Sequence, residues 1–525
     1  MASVTSVQRN METRFTIELI GDNLDNNHMS KIIKWAVNDF KNKYPLLFTR
    51  DYAGGRRLDY EWEELLAFEI YSVYSNKRTL RKRVEWISDN SESVNYILNN
   101  KSPGKTTLNN FKLENPLLII EFFQYTIDLG IDLGLVGGEI LVADSTKIKA
   151  FANEFKTLSI GQLDYLLDLI YDLSFDTSKN SKWSLLRKFF FTDKLPKKLG
   201  DLVKEIDKNL NQHGINLLKT ALQSQENRDW VIGWLDELVD NYDGKKRVNL
   251  TDPESWKMKM KDGTSRYAYT LQTVRDVKTG FTVSQRITQE KNDKKTLIPI
   301  IDDVISNLGK TPRYILIDNG YWDIESLEYS YLRNIIPIIP DLNQSKRRNG
   351  TNISNPYAKH NMLFDPVGEY YQCPYDKMEN RGIHKIRGEN KRVFKSTKCP
   401  ECPFHNKCAG NSKYRVFHES THPLILELRK NFIASVELSI YQYRGIYSEG
   451  GFGTLKNARQ YPDLKRRGKQ KADIDLKIES TVDNLIKIRD HLKATLITIP
   501  WKKNKDTYPP IFNLKFTQLS QSQSE

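Results

Sequence analysis

Residues 139–150, EILVADSTKIKA, give the first indication of the fold. The apolar run at 140–143 is typical of a buried strand, and a single carboxylate, Asp144, follows it directly. Two hydroxyl residues and two lysines come next, within 145–149. We therefore expect a strand that ends at Asp144 and presents this carboxylate in positively charged surroundings.

The composition indicates a chain that buries a large core and carries a basic surface. Its 525 residues have a formal net charge of +14, and the length suggests about three domains. Such an excess of lysine and arginine favours a polyanionic partner, nucleic acid before an anionic membrane surface.

Other features of the sequence predict a cytoplasmic protein without a membrane partner. The apolar runs are shorter than the ~18 residues of a membrane helix, and residues 1–15 lack the apolar core of a signal peptide. All four cysteines lie between 373 and 408, too few and too local for a secreted disulfide scaffold.

The N-terminal part, residues 1–135, is predicted to be mostly helical. Apolar residues recur at helical spacing over 60–87, and a basic cluster lies between them. A turn and a second amphipathic segment follow at 102–112. The pattern fits a helix-turn-helix-like DNA-binding region or, equally, a solvated helix face. The candidate DNA contacts are Arg78, Arg81 and Lys82.

The next part predicts an α/β core that a helical segment interrupts. Alternating residues at 265–276 and 280–288 predict a hairpin with VKTG as its turn. An amphipathic helix with Pro299 in its first turns follows. RYILI, at 313–317, is then a short strand that ends at Asp318. Because a helix precedes this last strand, we expect a parallel pairing and thus a mixed sheet with flanking helices.

These patterns divide the chain into predicted segments with different roles. The segments are a helical region at 1–135, a sheet-containing core at 136–156 and 241–345, a helical insertion at 157–240, a basic, loop-rich Cys-rich insertion at 346–428, core helices at 429–495 and a polar tail at 496–525.

Two aspartates each follow a predicted strand of this core. Sites in such sheets form beyond the carboxyl ends of the strands, so neighbouring strands would bring Asp144 and Asp318 together. Two close carboxylates repel unless a cation lies between them. Mg²⁺ prefers oxygen ligands of this kind together with phosphate oxygens. The alternative is that each aspartate only begins a turn.

A third stretch, residues 441–471, contains a glutamate that could join them. Glu449 and Lys456 are seven residues apart, hence on one face of a helix, and Tyr441 and Arg444 precede them. One side chain could bind a metal ion while the other holds a phosphate. The alternative is a solvated helix with a basic tail.

In combination, these blocks resemble the DDE transposases of bacterial and archaeal insertion sequences, the IS4-like group and most closely the IS1182 type. The similar blocks are ILVADSTKIKA (140–150), the hairpin and helix (259–304), the second aspartate block (314–340) and the glutamate block (448–488). The resemblance covers most of the chain and implies an RNase H-like core.

The family signature Tyr-x2-Arg-x3-Glu-x6-Lys fits with one departure, since four residues separate Arg444 from Glu449. The resemblance implies a catalytic triad of Asp144, Asp318 and Glu449 that binds Mg²⁺ or Mn²⁺. It also implies that Lys456, Arg444 and Tyr441 contact phosphate.

The function that the resemblance implies is transposition. Such an enzyme binds the terminal inverted repeats of an insertion sequence, cleaves the DNA and transfers the strands to target DNA. It would act as a homodimer in a synaptic complex, at the nucleoid of a prokaryote. Two alternatives are an RNase H-like nuclease without transposition and an inactive, zinc-dependent DNA-binding protein.

The cysteines form a separate pattern, Cys373 followed by Cys399-x2-Cys402-x5-Cys408. A Cys-x2-Cys pair with two further cysteines is typical of a Cys₄ zinc site. An iron–sulfur cluster is an alternative ligand, and free buried thiols are another interpretation. Proteins of the IS1182 type often have a similar cluster between the second aspartate and the glutamate.

Overall fold

The computed structural model describes residues 24–49, 60–89, 91–174, 181–192, 199–240, 244–352, 354–453 and 463–495. Within these ranges, helices and strands combine in a mixed α/β architecture. None of the described helices has both the length and the hydropathy that crossing a membrane requires. The predicted tail at 496–525 and Lys456 lie outside the described residues.

The described residues of the N-terminal part, 24–49, 60–89 and 91–135, are mostly helical, as predicted. Its helices are α1 (Met29–Lys43), α2 (Trp62–Tyr74), α3 (Leu80–Ser88), α4 (Glu92–Leu98), α5 (Lys105–Glu114) and α6 (Pro116–Asp132). The apolar spacing at 60–87 is continuous, but the stretch forms two helices, α2 and α3, rather than one. Asn76 takes a left-handed conformation (φ 57°) after α2, and Thr79 begins α3 by accepting a hydrogen bond from Lys82 N. Asn tolerates this conformation and Thr is a common N-cap, so local chemistry divides the segment.

The large sheet is mixed, as the strand pattern predicts. Its strands are β1 (Ile140–Lys149), β4 (Trp256–Lys259), β5 (Ser265–Asp276), β6 (Thr282–Thr288), β7 (Tyr314–Leu316) and β8 (Ile336–Ile338). Their order is β4-β5-β1-β7-β8, and β6 pairs with β5. The pairings β1–β7 and β7–β8 are parallel, whereas β1–β5 and β5–β6 are antiparallel.

The predicted hairpin and helix are present. Gly280 (φ 71°) lies in the turn between β5 and β6, where its N–H donates to Asp276 O at 2.8 Å. Helix α12 (Leu297–Leu308) follows with Pro299 in its first turn, where a missing N–H costs no helical hydrogen bond. This helix leads into the parallel strand β7, as expected for a crossover connection.

A group of helices occupies the predicted insertion between β1 and β5. They are α7 (Ile160–Ser174), α8 (Lys182–Thr192), α9 (Gly200–Asn209), α10 (Gln212–Ala221) and α11 (Gln225–Asp240), with the short strands β2 (Thr157–Ser159) and β3 (Arg247–Asn249). Their buried apolar side chains, from Leu158 to Val248, form a cluster of their own.

The Cys-rich segment, predicted to be loop-rich, contains a five-stranded antiparallel sheet. Its strands are β9 (Leu363–Asp365), β10 (Tyr370–Gln372), β11 (Lys377–Ile386), β12 (Glu389–Lys395) and β13 (Phe417–Ser420), ordered β13-β12-β11-β10-β9. The prediction was wrong because several strands have only three or four residues and β11 is largely exposed, so apolar alternation is weak.

The remaining helices complete the core. They are α13 (Ile324–Leu332), α14 (Leu342–Arg348), α15 (His405–Cys408), α16 (Pro423–Glu437), α17 (Gln442–Gly453) and α18 (Lys469–Ala494). Buried residues of α18 share one apolar cluster with the N-terminal helices and the sheet. In its middle, Asn484 accepts a hydrogen bond from Thr282 N at 2.9 Å and donates to Thr126 Oγ1 at 3.2 Å. This buried amide joins α18, β6 and α6.

Candidate active site

Asp144 lies in the middle of β1 rather than at its end. Strand β1 continues to Lys149 because β5 pairs with it along this whole length. Its parallel pairing with β7, however, stops at Val142 opposite Leu316. Asp144 therefore occupies the position at which its parallel neighbour has ended, and this produces the opening that the sequence predicted at a strand end.

Asp318 lies two residues after β7, at the same edge of the sheet. Its Oδ1 accepts a hydrogen bond from Gly320 N at 2.7 Å, which begins the short helical turn Asn319–Tyr321. The turn interpretation of this aspartate is thus correct. It does not exclude a second role, because the other carboxylate oxygen faces Arg444.

Arg444 of α17 brings the two aspartates into one site. Its Nη2 lies 3.3 Å from Asp144 Oδ1 and 3.3 Å from Asp318 Oδ2. Burial raises the pKa of Asp144, and Asp318 adds to this effect while Arg444 opposes it. Burial also works against the charge of Arg444, but Asp144 and Asp318 outweigh it and keep its pKa above the ordinary value.

The beginning of α17 is fixed to the sheet close to these side chains. Tyr441 is buried, and its hydroxyl donates to Ile317 O at 3.0 Å. Burial raises the pKa of Tyr441 to about 12, so the phenol stays protonated. One turn after Arg444, Ser448 donates to Arg444 O at 2.5 Å, and its hydroxyl lies close enough to the carboxylate of Asp144 to lower the pKa of that group.

The third member of the predicted triad, Glu449, follows Ser448 directly in α17. Its backbone is helical, and its side chain lies outside what the structure describes. Because Arg444 and Ser448 on the same helix both contact Asp144, α17 carries Glu449 along the edge at which Asp144 and Asp318 meet. The role of Glu449 stays a prediction, as does that of Lys456.

A carboxylate that the sequence analysis missed, Asp293, belongs to the same site. It accepts hydrogen bonds from Ser145 Oγ at 2.8 Å and from Gln272 Nε2 at 2.6 Å. Burial raises its pKa, and the charge of Asp318 adds to the rise. Its local sequence, EKNDKKT, indicates only a polar loop before a helix. Nothing in the local sequence distinguishes Asp293 from an ordinary turn residue, because the side chains that interact with it lie in distant segments of the chain.

The side chains at this edge carry an excess of negative charge. The charge of Asp318 acts on both Asp144 and Asp293, and Arg444 contacts Asp144 and Asp318. Carboxylate oxygens suit Mg²⁺ or Mn²⁺, and repulsion among them favours a cation. Within the described ranges, however, no three His, Cys, Asp or Glu side chains converge closely enough to hold a metal ion.

One of the three predicted DNA contacts has another role. Arg78 pairs with Glu479 of α18, and its side chain is only 10% exposed. It therefore joins α18 to the chain segment before α3, an arrangement that sequence spacing could not reveal. Arg81 and Lys82 are exposed on α3. Arg81 forms an ion pair with Glu85 at 2.8 Å, which leaves both side chains at the surface.

The four cysteines lie together beside the five-stranded sheet. With His405 they line a cavity of about 30 Å³, a volume comparable to that of one water molecule. Backbone N–H groups donate to the sulfurs of Cys373, Cys399 and Cys402 at 3.1–3.4 Å. Burial raises the pKa of Cys408, and the other three thiols contribute. The cysteines, too, are not close enough to form a finished metal site in the described structure.

The comparisons with known proteins bear on this site. A family model described as "Transposase DDE domain" matches residues 372–489. That span includes α17 with Arg444 and Glu449, whereas Asp144 and Asp318 precede it. The match supports a DDE transposase, an enzyme that cleaves and transposes nucleic acid. Searches of curated proteins and of solved structures found no match.

Proposed function

We propose that the protein is a transposase of the IS4-like, IS1182 type, which binds the terminal inverted repeats of an insertion sequence, cleaves there and transfers the strands to target DNA. The observation that carries the proposal is the meeting of Asp144 and Asp318 at Arg444, on a helix inside the matched transposase span. The strand order β6-β5-β1-β7-β8, with β5 and β6 antiparallel, supports an RNase H-like core.

In this proposal Asp144, Asp318 and Glu449 hold Mg²⁺ or Mn²⁺. The bound ions would activate water or a 3′-hydroxyl and stabilise the leaving oxygen at phosphorus. The new P–O bond forms in line with the P–O bond that breaks. The oxygen ligands and the excess of negative charge at this edge fit such ions chemically.

Arg444 has a second role in the proposed reaction. While it contacts both carboxylates, its charge offsets their repulsion. With a divalent cation held by the two carboxylates, the planar guanidinium would be available for a phosphate oxygen, to which arginine binds strongly. Tyr441 keeps the beginning of α17 on β7 and so directs Arg444 to the DNA backbone. Lys456 would contribute a further positive charge.

Two surfaces fit the proposed DNA partner. The first is the exposed pair Arg81 and Lys82 on α3. The second is the ribbon formed by β11 and β12, residues 377–395, in which seven Lys and Arg residues stand against two Glu residues. From 382 to 390 the ribbon is mostly exposed, with Ile383 at 61%. A basic two-stranded ribbon has dimensions that suit the major groove of duplex DNA.

For the cysteines we propose one structural zinc ion, bound by Cys373, Cys399, Cys402 and Cys408. Support comes from the Cys-x2-Cys spacing, the shared cavity and the N–H donors to sulfur, which stabilise thiolates. An iron–sulfur cluster remains the alternative occupant. The zinc would fix the loops at one end of the five-stranded sheet and thereby the base of the basic ribbon.

The proposed organisation follows from these roles. The predicted segments act as an N-terminal DNA-binding region, an interrupted catalytic core, and helical and Cys-rich insertions. The enzyme would work as a homodimer that joins two transposon ends in the cytoplasm, at the nucleoid. The decisive experiment incubates the protein with its own element ends and Mg²⁺ and maps the cut and joined strands. Cleavage without joining would favour a nuclease, and DNA binding without cleavage would favour an inactive binding protein.

A further inference from the structure

Asp293 links several elements of the candidate active site although it lies in the loop between β6 and α12. Its Oδ2 accepts from Ser145 Oγ of β1 at 2.8 Å, and its Oδ1 accepts from Gln272 Nε2 of β5 at 2.6 Å. Its carbonyl oxygen accepts from Thr296 N at 3.1 Å, at the start of α12. Asp293 is therefore tied to the residue that directly follows Asp144.

The carboxylate of Asp293 also approaches Asp318. A β-carbon added to Gly320 would lie 2.8 Å from Asp318 Oδ1 and 3.3 Å from Asp293 Oδ2. Both oxygens thus border the same point above Gly320, where a side chain has no room. The place that Asp293 Oδ2 occupies therefore limits the space in which Asp318 Oδ1 can lie.

A buried tyrosine orients the amide that contacts Asp293. The hydroxyl of Tyr321, which follows Gly320 and is fully buried, donates to Gln272 Oε1. This contact directs the Nε2 donor of Gln272 toward Asp293. Asp144 is thus connected through Ser145 and Asp293 to Gln272. Tyr321 completes the connection, because its hydroxyl donates to Gln272 and its backbone N–H donates to Asp318 O at 3.2 Å.

We propose that Asp293 is a positioning residue of the active site, which acts through its hydrogen bonds to Ser145 and Gln272 and so sets the geometry of Asp144 and Asp318 for a divalent cation. The inference rests on the proposed function, because it assigns a cation to these two carboxylates. Supporting residues around metal ligands typically change metal affinity by about 10- to 100-fold.

The variant Asp293→Asn distinguishes the effect of the hydrogen bonds of Asp293 from the effect of its charge. In this variant Oδ1 accepts from Gln272 Nε2, whose direction Tyr321 fixes, and Nδ2 donates to the Ser145 hydroxyl, which rotates to accept. Asp293→Asn therefore keeps both contacts and removes the charge, whereas Asp293→Ala removes both contacts. Ser145→Ala removes only one hydroxyl and is the milder variant if Asp293→Ala folds poorly.

The test is Mn²⁺ binding to the full chain by titration calorimetry, with the double variant Asp144→Ala/Asp318→Ala as the blank. We expect Asp293→Ala and Ser145→Ala to weaken binding about 10-fold and Asp293→Asn to stay close to the wild type. Asp276→Asn is the control, since Asp276 is a buried aspartate at the end of β5 that accepts from Gly138 N at 2.6 Å and pairs opposite Leu141 rather than Asp144. The melting temperature of Asp276→Asn shows how much replacing a buried aspartate changes the stability of the protein when the candidate metal site is left intact.

Three results overturn the inference. The first is an Asp293→Ala variant that binds Mn²⁺ with wild-type affinity. The second is an Asp293→Asn variant that binds Mn²⁺ as weakly as Asp293→Ala, which would mean that Asp293 acts through its charge. The third is a wild-type protein that binds no more Mn²⁺ than the blank. Cleavage of element ends is measured in parallel. If the wild type binds Mn²⁺ at the site and cleaves nothing, the proposed function fails while the Mn²⁺ titration still decides the role of Asp293.

Discussion

Nη2 of Arg444 lies 3.3 Å from Oδ1 of Asp144, across a sequence separation of 300 residues. The same nitrogen lies 3.3 Å from Oδ2 of Asp318. A guanidinium therefore stands between the two carboxylates that the sequence selects as metal ligands. Where a positive charge already stabilises a pair of acids, a divalent cation has to replace or supplement it.

Replacing Arg444 tests this relationship. Arg444→Ala should lower the melting temperature of the metal-free protein, because Asp144 and Asp318 then repel without compensation. Added Mg²⁺ should raise the melting temperature by more than in the wild type, since the cation restores the missing charge. The cleavage rate should nevertheless fall about 10- to 100-fold, because the variant lacks one charged hydrogen bond from Arg444 to phosphate. Thermal melting with and without Mg²⁺ measures the first two effects.

The control for Arg444 is Arg286→Ala, which breaks the ion pair with Asp303 on another part of the surface. This variant should show the wild-type response to Mg²⁺. An Arg444→Ala protein whose Mg²⁺ response equals that of the control would contradict the proposed competition between arginine and cation.

Replacement of the triad residues should separate chemistry from DNA binding. Asp144→Ala, Asp318→Ala and Glu449→Ala should each reduce cleavage on the order of 10³-fold or more, because these residues act as a unit. Binding of element ends should remain within a few fold, since the DNA surfaces lie elsewhere. Parallel gel-shift and cleavage assays measure both effects, and undiminished cleavage by one variant would remove that residue from the site.

The basic ribbon should contribute to DNA binding through phosphate contacts. Replacing Lys385, Arg387 and Lys391 by Ala should weaken binding and reduce the slope of log K against log salt by roughly 2 to 3, about one per lost contact. The matched control replaces Lys182, Lys204 and Lys208, three exposed lysines of the helical insertion. Equal slopes for the two triple variants would show that only net charge matters and that the ribbon has no specific role.

The cysteine group should contain about one zinc ion per chain. Because binding energy at such a site is folding energy, a chelator or Cys402→Ser should loosen residues near 365–425 and leave the large sheet intact. Elemental analysis with hydrogen exchange provides the measurement. Iron with visible absorption would instead indicate a cluster, and metal-free protein with unchanged exchange in Cys402→Ser would leave four free thiols.

A buried ion pair among the N-terminal helices should be costly to break but not to replace as a whole. Arg83 Nη1 lies 2.5 Å from Glu69 Oε1, and both side chains are buried. Arg83→Ala leaves the Glu69 charge without this partner and should cost about 3 to 5 kcal/mol of unfolding free energy. The double variant Arg83→Met/Glu69→Met should recover most of it, as apolar replacements of buried pairs often do. Denaturant unfolding measures both, and a double variant no more stable than Arg83→Ala would contradict the argument.

Local patterns were sufficient for much of the fold. Period-two alternation located β5 and β6, and helical spacing located α12 with Pro299 in its first turn, because each signal lies within about 10 residues of chain. The sequence pattern did not reveal an element where the alternation was too short, and it did not reveal a helix boundary where the apolar spacing continued across it. The short strands β9 and β10 show too few alternations to be recognised, and the apolar spacing through Asn76 concealed the break between α2 and α3.

The sequence by itself determined the mixed α/β class, the basic character and the choice of Asp144, Asp318, Arg444 and the four cysteines as residues to examine, because apolar runs, charge and the spacing of residues in a motif are local properties. Only the tertiary structure decided which of them meet. It placed Arg444 between the two aspartates, turned Arg78 inward to Glu479 and added Asp293 to the site. Such contacts join segments far apart in the chain, and their energies depend on burial and distance, which no local pattern contains.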